Sequence, residues 1–433
     1  MQRKVVLATF GSLGDVHPFI AVAQALQGRG VTPLLAVQTD LAGKCEAAGV
    51  ETLPFMPGIA EAVGESDEKR IARKLISATE LLIRKAVLSS LAKSTALLSR
   101  KAADADVIVG STFALSAPIV AEKHNIPFVA ALLQPAGWLS ILDPPAMPDF
   151  NAFARPPLGP VKTAWNRTAG WLAGLEIRRR YASGINTVRQ ACDLPLSDRL
   201  PLFEAGTEPV LSLGLYSPVL GPIPPDAPQG AQLTGFPWFD SEDGTAPHLD
   251  RELSAFLDSG PPPLVITFGT VVPAAAGLLY QRSVSIAREL GMRAVLLTGE
   301  AMPEISQDIV TRSYVPHSLL FPRAAAVIHH GGIGTTGQVL RAAVPQLVVP
   351  FMVDQFDNAE RIVRLGTGLS LSPRRYNVQA EGLVKRLIHE PGFAAAAARI
   401  GQAMRNENGA AAAANAIIAV IEARVRAAPA VGH

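Results

Sequence analysis

The chain has 433 residues, of which 48% are hydrophobic and 18% charged, and its formal net charge is +2. This length exceeds what one ordinary core holds and predicts two domains, while the near-balanced charge argues against a nucleic-acid-binding protein. The two cysteines, Cys45 and Cys192, lie far apart in the sequence, so we expect neither a disulfide framework nor a cysteine metal site.

The apolar runs of the chain are short. None reaches the length of about 18 residues that a membrane span needs, and the run that follows Lys4 is too short for a signal peptide. We therefore expect a cytoplasmic protein.

The N-terminal half alternates short apolar runs with helical patterns. Strands are predicted at 4–10, 31–37, 106–112 and 127–133, and a helix at 19–28. Continuous apolar strands joined by helices indicate a parallel sheet that is covered on both faces.

Two segments of this half depart from the α/β pattern. Segment 68–101 is helical and rich in Lys and Arg, which predicts a surface helix pair or, alternatively, a basic face for peripheral contact with anionic lipid. Segment 134–171 is rich in proline and aromatic residues. It is either a pocket for an apolar ligand or the ordinary packing of a long connection.

A Pro/Gly-rich zone over 217–253 marks the expected domain boundary. Strands are then predicted at 263–270, 294–300, 324–330 and 345–351, and the Ala-rich tail at 393–426 reads as helix. The two halves therefore look like two doubly wound domains.

A glycine-containing turn follows the first strand, in the stretch GSLGDVHPF (11–19). Such a turn brings a helix N-terminus to the carboxyl edge of the sheet, where ligands of open α/β sheets bind. Asp15 and His17 would project into that space. The alternative is that Asp15 caps the helix and His17 is a surface histidine.

A second glycine-rich turn lies in VIHHGGIGTTGQVL (327–340). Gly332, Gly334 and Gly337 match the dinucleotide fingerprint, and Asp354 follows at about the distance at which that fingerprint has its acid. An NAD(P)-dependent oxidoreductase is thus one reading. However, the turn follows the third strand of its domain, and it carries histidine where the fingerprint has glycine. We favour a diphosphate cradle in which His330 donates a hydrogen bond.

Asp354 and Gln355 follow the next strand and could bind a row of sugar hydroxyls, although Asp354 could also cap a helix. Asp104 and Asp106 form a candidate metal pair, but their position at a helix–strand junction favours solvated side chains, so no metal is expected.

At these residues the chain resembles the inverting family 1 nucleotide-sugar glycosyltransferases of the GT-B fold. The resemblance rests on GSLGDVHPF, TGFPWFD, TFGT, HHGGIGTTG and VPFMVDQFDNAERIVRLG, in order from residue 11 to 366. More narrowly, the chain is similar to bacterial members that act on lipid or sterol-like acceptors, such as the rhamnosyltransferase chain of rhamnolipid synthesis.

The resemblance implies two Rossmann-like domains that face each other across a cleft. The acceptor-binding domain would span 1–232, a linker 233–259, and the nucleotide-sugar-binding domain 260–407. The last segment, 408–433, would return as a helix to the first domain. No cofactor is implied, because the nucleotide sugar is a co-substrate.

The resemblance also assigns donor-site residues. The diphosphate would be held by Gly14, Thr270, His330, Gly332, Gly334, Thr335 and Thr336. The base and ribose would be held by Tyr314, Val315, His317 and Gln338, and the sugar by Asp354 and Gln355. Gln338 stands where plant members have a ribose-binding glutamate.

The resemblance places the catalytic base at Asp15, with His17 nearby. Plant members have a histidine oriented by an aspartate, and that aspartate aligns with Ser111, so the dyad is absent here. Ser111, Phe113 and Trp138 are the expected acceptor-binding residues.

We therefore expect transfer of a hexose from a UDP- or dTDP-sugar to a hydroxyl of a lipophilic acceptor. The alternatives are UDP-glucose transfer to a polyketide or terpenoid, an NAD(P)-dependent oxidoreductase, and a non-catalytic nucleotide-sugar-binding protein.

Overall fold

The computed structural model describes residues 3–63, 80, 82–200, 202, 205–241, 246–269, 273–299 and 306–427. These residues form two parallel sheets with helices on both faces. The first contains strands in the order β3-β2-β1-β4-β5-β6-β7, and the second β10-β9-β8-β11-β12-β13. Both orders reverse direction once, between β1 and β4 and between β8 and β11, which is the Rossmann arrangement. The predicted α/β fold with two doubly wound domains is confirmed.

The strands of the first sheet are β1 (Lys4–Ala8), β2 (Thr32–Gln38), β3 (Thr52–Met56), β4 (Val107–Ser111), β5 (Phe128–Leu132), β6 (Leu211–Gly214) and β7 (Gln232–Leu233). Those of the second are β8 (Leu264–Thr267), β9 (Ala294–Leu297), β10 (Ile309–Arg312), β11 (Ala326–His329), β12 (Gln346–Val348) and β13 (Gly368–Ser370).

The α-helices are α1 (Leu13–Gln27), α2 (Thr39–Ala47), α3 (Ile59–Val63), α4 (Ser89–Ala102), α5 (Ser116–Lys123), α6 (Pro160–Ala191), α7 (Arg251–Asp258), α8 (Pro273–Glu289), α9 (His317–Leu320), α10 (Ile333–Arg341), α11 (Gln355–Leu365), α12 (Tyr376–His389), α13 (Pro391–Met404) and α14 (Gly409–Ala427). Among the described helices, none has both the length and the apolar character required to cross a bilayer.

Alternation along each strand explains why both sheet faces are covered. In β1, Val6 and Ala8 pack into one buried cluster, while Val5 and Leu7 pack into a second cluster on the opposite face. The second sheet divides in the same way, because successive side chains of a strand point to opposite faces.

Helix α14 packs on the first domain although it follows the second domain in the sequence. Its buried residues Ala413, Ala414, Ile417 and Ile421 belong to the same cluster as Val5 and Leu7. The small alanines let the helix approach α1 closely. The expected linker, 233–259, is partly structured, because it contains α7, whose Leu253 packs in the core of the second domain.

Two segments did not fit the α/β pattern of the sequence. Most of the first half of 68–101 lies outside the described residues, and the remainder forms a π-helical turn at Ile83–Leu88 followed by α4. Segment 134–171 contains two short 3₁₀ helices that begin at Pro135 and Pro148, and then the first turns of α6.

Candidate active site

The two sheets present their carboxyl edges to one cavity of about 310 Å³. Its walls include the turns after β1, β8 and β11, with Phe113 after β4, so both points where the strand order reverses contribute to it. Helices α1 and α10 both begin at this cavity. Their first turns meet at two glycines, because a Cβ added to Gly334 would lie 3.5 Å from the Cα of Gly14. Two helix N-termini thus direct partial positive charge to one space.

Asp15 lies in the first turn of α1, where it completes a capping box with the N-cap residue Ser12 and lines the cavity. Its Oδ2 accepts hydrogen bonds from the Ser12 N–H (2.7 Å) and the Ser12 hydroxyl (3.0 Å). Gly11 has φ +146°, and a Cβ there would lie 2.3 Å from Oδ2, so glycine makes room for the carboxylate. Oδ1 has no hydrogen-bond partner within the described ranges.

Burial raises the pKa of Asp15 to about 6, although the hydrogen bonds from Ser12 oppose that rise. The structure therefore unites the two interpretations of this residue. Asp15 contributes to the capping box of α1, and it is also a carboxyl group whose basicity is increased by its surroundings.

His330 lies between two glycine backbones. A Cβ on Gly332 would be 2.5 Å from its Nε2, and one on Gly269 would be 2.8 Å from its Cε1. Burial lowers the pKa of His330 to about 4, so the imidazole is neutral near pH 7. Its Nδ1 is buried with no partner among the described residues. A neutral ring with an unsatisfied nitrogen is suited to a hydrogen bond with a bound oxygen.

The preceding His329 is structural. The Gly331 N–H donates to its Nδ1 (3.1 Å), so the proton is on Nε2, which donates to Gln346 Oε1 (2.8 Å). Burial lowers its pKa to about 3. These bonds anchor the turn that presents His330. Gly337, the last glycine of the apparent dinucleotide fingerprint, lies against Phe236, since a Cβ there would be 2.9 Å from that ring.

Asp354 and Gln355 line the cavity at the start of α11. Burial and the nearby charge of Asp15 raise the pKa of Asp354 to about 7. The carboxyl groups of Asp15 and Asp354 are thus close enough to interact electrostatically. Asn358 Nδ2 donates to Asp354 Oδ2 (2.9 Å). Gln355 Oε1 accepts from the N–H groups of Phe351 and Met352 at 2.8 and 3.1 Å, so its amide nitrogen is the atom left for a ligand.

Tyr314, His317 and Gln338 line another part of the same cavity. Tyr314 donates its hydroxyl hydrogen to Asp240 Oδ1 (2.9 Å), and the Ser318 N–H donates to Asp240 Oδ2 (2.6 Å). His317 stacks on Phe321 at 4.4 Å between ring centroids, and burial lowers its pKa. Asp240 thus fixes an aromatic loop at the cavity wall.

Most of the predicted site residues line this cavity, namely Gly14, Asp15, His17, Phe113, Tyr314, His317, His330, Gly332, Gly334, Thr335, Gln338, Asp354 and Gln355. Five do not. Thr336 is wholly buried in α10, and Val315 packs into the core because the loop turns its Tyr314 and His317 neighbours outward. Ser111 and Trp138 line a second cavity of about 450 Å³ in the first domain. Thr270 lies outside the described residues.

The sequence reasoning missed the role of the segment 236–240. Phe236, Trp238, Phe239 and Asp240 all line the cavity. Their motif, TGFPWFD, was identified as part of the resemblance, but it lies in a region with no strand or helix pattern. Arg361 was also missed; it is buried on α11 and pairs with Asp357 (2.7 Å) and Asp143 (3.0 Å).

Comparisons with known proteins agree with this geometry. Residues 5–138 match the glycosyltransferase family 28 N-terminal domain, and residues 292–422 match the C-terminal domain described as erythromycin biosynthesis protein CIII-like. The chain is 32% identical to the vancomycin aglycone glucosyltransferase of Amycolatopsis orientalis over 85% of each chain. It is 28% identical to the sterol 3-beta-glucosyltransferase of Aspergillus terreus. That alignment covers 97% of this chain and 30% of the longer fungal protein.

Among solved structures, the spinosyn rhamnosyltransferase SpnG complexed with thymidine diphosphate aligns with a TM-score of 0.63 at 21% identity. The alignment covers 96% of this chain and 100% of that one. The structural likeness confirms the GT-B fold, and the sequence relatives make the dinucleotide oxidoreductase reading wrong. The chain therefore belongs to the GT-B nucleotide-sugar glycosyltransferases, the family that includes family 1 antibiotic and sterol glycosyltransferases.

Proposed function

We propose that this enzyme is an inverting transferase that moves a hexose from a UDP- or dTDP-sugar to a hydroxyl of a lipophilic acceptor. The observation that carries the proposal is the position of Asp15. A carboxyl group with a raised pKa, whose Oδ1 has no partner among the described residues, lines the same cavity as His330 and two helix N-termini. A base and an anion cradle are the two groups that such a displacement needs.

The donor diphosphate would lie against the first turn of α10. The backbone N–H groups of Gly334 and Thr335 belong to that first turn, and the side chains of Thr335 and His330 line the cavity beside it. The facing first turn of α1 adds Gly14. Fixed donors of this kind stabilise the charge that develops on a leaving diphosphate. Deleting one of them typically raises the activation free energy by about 3–4 kcal/mol. The proposal requires no metal ion or cofactor.

The hexose would lie beside Asp354 and Gln355. A carboxyl group with a pKa near 7 can donate or accept a hydrogen bond at neutral pH, and an amide N–H donates. Asp354 immediately precedes α11 and Gln355 is its first residue. The buried face of α11 fixes the position of both. This arrangement supports recognition of sugar hydroxyls.

The reaction would be one in-line displacement. Asp15 Oδ1 accepts the proton of the acceptor hydroxyl while its oxygen attacks the anomeric carbon, opposite the diphosphate. The bond from that carbon to the diphosphate oxygen breaks as the new glycosidic bond forms. One displacement inverts the anomeric configuration.

The acceptor would enter beside Asp15 on the first domain. Phe113, Ile59 and Leu82 supply apolar side chains to that wall of the cavity. This lining supports an apolar acceptor, and the sterol 3-beta-glucosyltransferase relative has a hydrophobic acceptor in its own name. The second cavity, with Ser111 and Trp138, would extend acceptor binding along the same domain.

The base assignment is tested by Asp15→Asn. The amide oxygen can still accept the Ser12 hydrogen bonds, so α1 keeps its cap, but the group cannot take a proton. We expect transfer to fall by roughly 10²–10⁴-fold, measured by mass spectrometry with UDP-glucose and dTDP-rhamnose offered to hydroxylated fatty acids and a sterol. Calorimetry should show that the substitution leaves the dissociation constants for UDP and dTDP unchanged. Turnover close to wild type would refute Asp15 as base.

A second candidate is UDP-glucose transfer to a polyketide or terpenoid, which the vancomycin aglycone relative favours. The same screen separates the two, if an aromatic polyketide and a terpenoid alcohol are added as acceptors. Product only with those acceptors and UDP-glucose would replace the lipid assignment.

A further inference from the structure

We infer that His17 is a binding residue for the nucleoside part of the donor, contributed by the acceptor-binding domain, and is not an assistant to Asp15. This inference rests on the proposed donor site. It makes the nucleotide a ligand of both domains.

The first argument is helical geometry. His17 follows Asp15 by two positions in α1, and at about 100° per residue two such side chains project roughly 200° apart. They therefore leave the helix on different sides. No hydrogen bond joins them among the described residues, although both line the cavity.

The second argument is what surrounds the ring. His17 packs edge-to-face on Phe239, with 5.2 Å between ring centroids. Phe239 is followed by Asp240, which accepts the Tyr314 and Ser318 hydrogen bonds. The ring therefore belongs to the end of the cavity that Tyr314 and His317 form.

The charged and titratable groups close to His17 support the same location. Burial lowers the pKa of His17 to about 3, the ammonium of Lys44 lowers it further, Asp240 raises it and His317 lowers it. Asp15 is not among the groups that affect it. His17 is therefore neutral near pH 7, and its neighbours are those of the aromatic loop.

The third argument is an unsatisfied atom. Nε2 of His17 is buried with no hydrogen-bond partner in the described part of the chain. Buried polar atoms in native structures are nearly always paired, so a missing ligand is the simplest partner. A neutral imidazole can donate or accept one hydrogen bond, and the hydroxyls of a ribose and the imide of a pyrimidine offer both kinds of partner. The position of the ring beside Phe239 and the Asp240–Tyr314 pair therefore favours the nucleoside part of the donor over the diphosphate.

A neighbouring contact shows how the domains meet here. The Lys44 Nζ of α2 lies 5.4 Å from the centre of the Tyr314 ring, within cation–π range. An element of the first domain thus already touches the aromatic loop of the second. A nucleoside bound between His17 and Tyr314 would strengthen that junction.

The test uses His17→Phe, which keeps a planar ring against Phe239 and removes both nitrogens. Calorimetry should show binding of UDP or dTDP, whichever wild type binds more tightly, weakened about tenfold. His17→Gln, which restores a hydrogen-bonding group, should stay within about threefold of wild type. Gln27→Ala, at an exposed position of the same helix, is the matched control and should leave this constant unchanged.

The alternative gives the opposite pattern. If His17→Phe binds nucleotide like wild type but loses turnover, His17 assists the base and the inference is overturned. If wild type binds neither UDP nor dTDP, the proposed function fails first, so the two failures are distinguishable. If His17→Phe does not fold, His17→Asn replaces it, because the shorter asparagine side chain does not extend to the position of the imidazole Nε2. Nucleotide affinity equal to wild type in that variant would again overturn the inference.

Discussion

At the scale of single residues, three glycines provide the space that the reactive groups occupy. Gly11 accommodates the carboxylate of Asp15, and Gly269 and Gly332 enclose the ring of His330. In the second glycine-rich turn, Gly332 therefore makes room for the ring of His330, while Gly334 lets α10 approach Gly14 and Gly337 packs on Phe236. This explains why the turn imitates a dinucleotide fingerprint without belonging to a dinucleotide enzyme.

The pKa of Asp15 predicts a pH dependence. Because burial raises it to about 6, the group is protonated and inactive as a base below that pH and ionised above it. We expect kcat/KM to rise with pH, reach half its maximum near pH 6 and level off above it. The measurement is initial rate against pH from 5 to 8. Asp354→Asn is the control and should keep a rising limb. A profile that is flat over this range would contradict the assignment.

Sequence reasoning identified Asp15 and His330 because each follows a strand and opens a helix, so its place at a sheet edge is dictated by topology. It could not separate Val315 from Tyr314 and His317. Which way a loop residue points depends on tertiary packing, and the sequence around residue 315 has no period that reveals it.

At the scale of elements, helix α11 joins the cavity to the first domain. Its Arg361 bonds to Asp357 on the same helix and to Asp143 in the irregular segment after β5. The Ala146 N–H donates to the other oxygen of Asp357 (2.9 Å). The helix that begins at Gln355 is thus held against the first domain by a buried ionic network.

Removing Arg361 should destabilise the protein. Arg361→Met leaves the carboxylate of Asp357, which is 1% exposed, without its cation. A buried charge left unpaired in this way costs about 3–5 kcal/mol. We expect the urea midpoint to fall accordingly. Arg364→Met, at an exposed position of the same helix, is the matched control and should change stability by no more than about 0.5 kcal/mol. Equal midpoints for both variants would contradict the network's role.

At the scale of the whole molecule, the alternation of apolar strands and helices was sufficient to predict two parallel-sheet domains. It could not predict that α7 belongs to the second domain, because a short helix beside a Pro/Gly-rich zone is visible only through its packing. The segment 236–240 was hidden for a related reason. Its contribution arises from lying between two sheets, and no local pattern encodes that position.

The central claim is that a nucleotide diphosphate lies where α1 and α10 begin, with its nucleoside toward Tyr314. A crystal structure of the enzyme with dTDP or UDP tests this directly. We expect the diphosphate within hydrogen-bond distance of His330 and the N–H groups of Gly334 and Thr335. A nucleotide bound elsewhere, with the His330 turn empty of phosphate, would contradict the account.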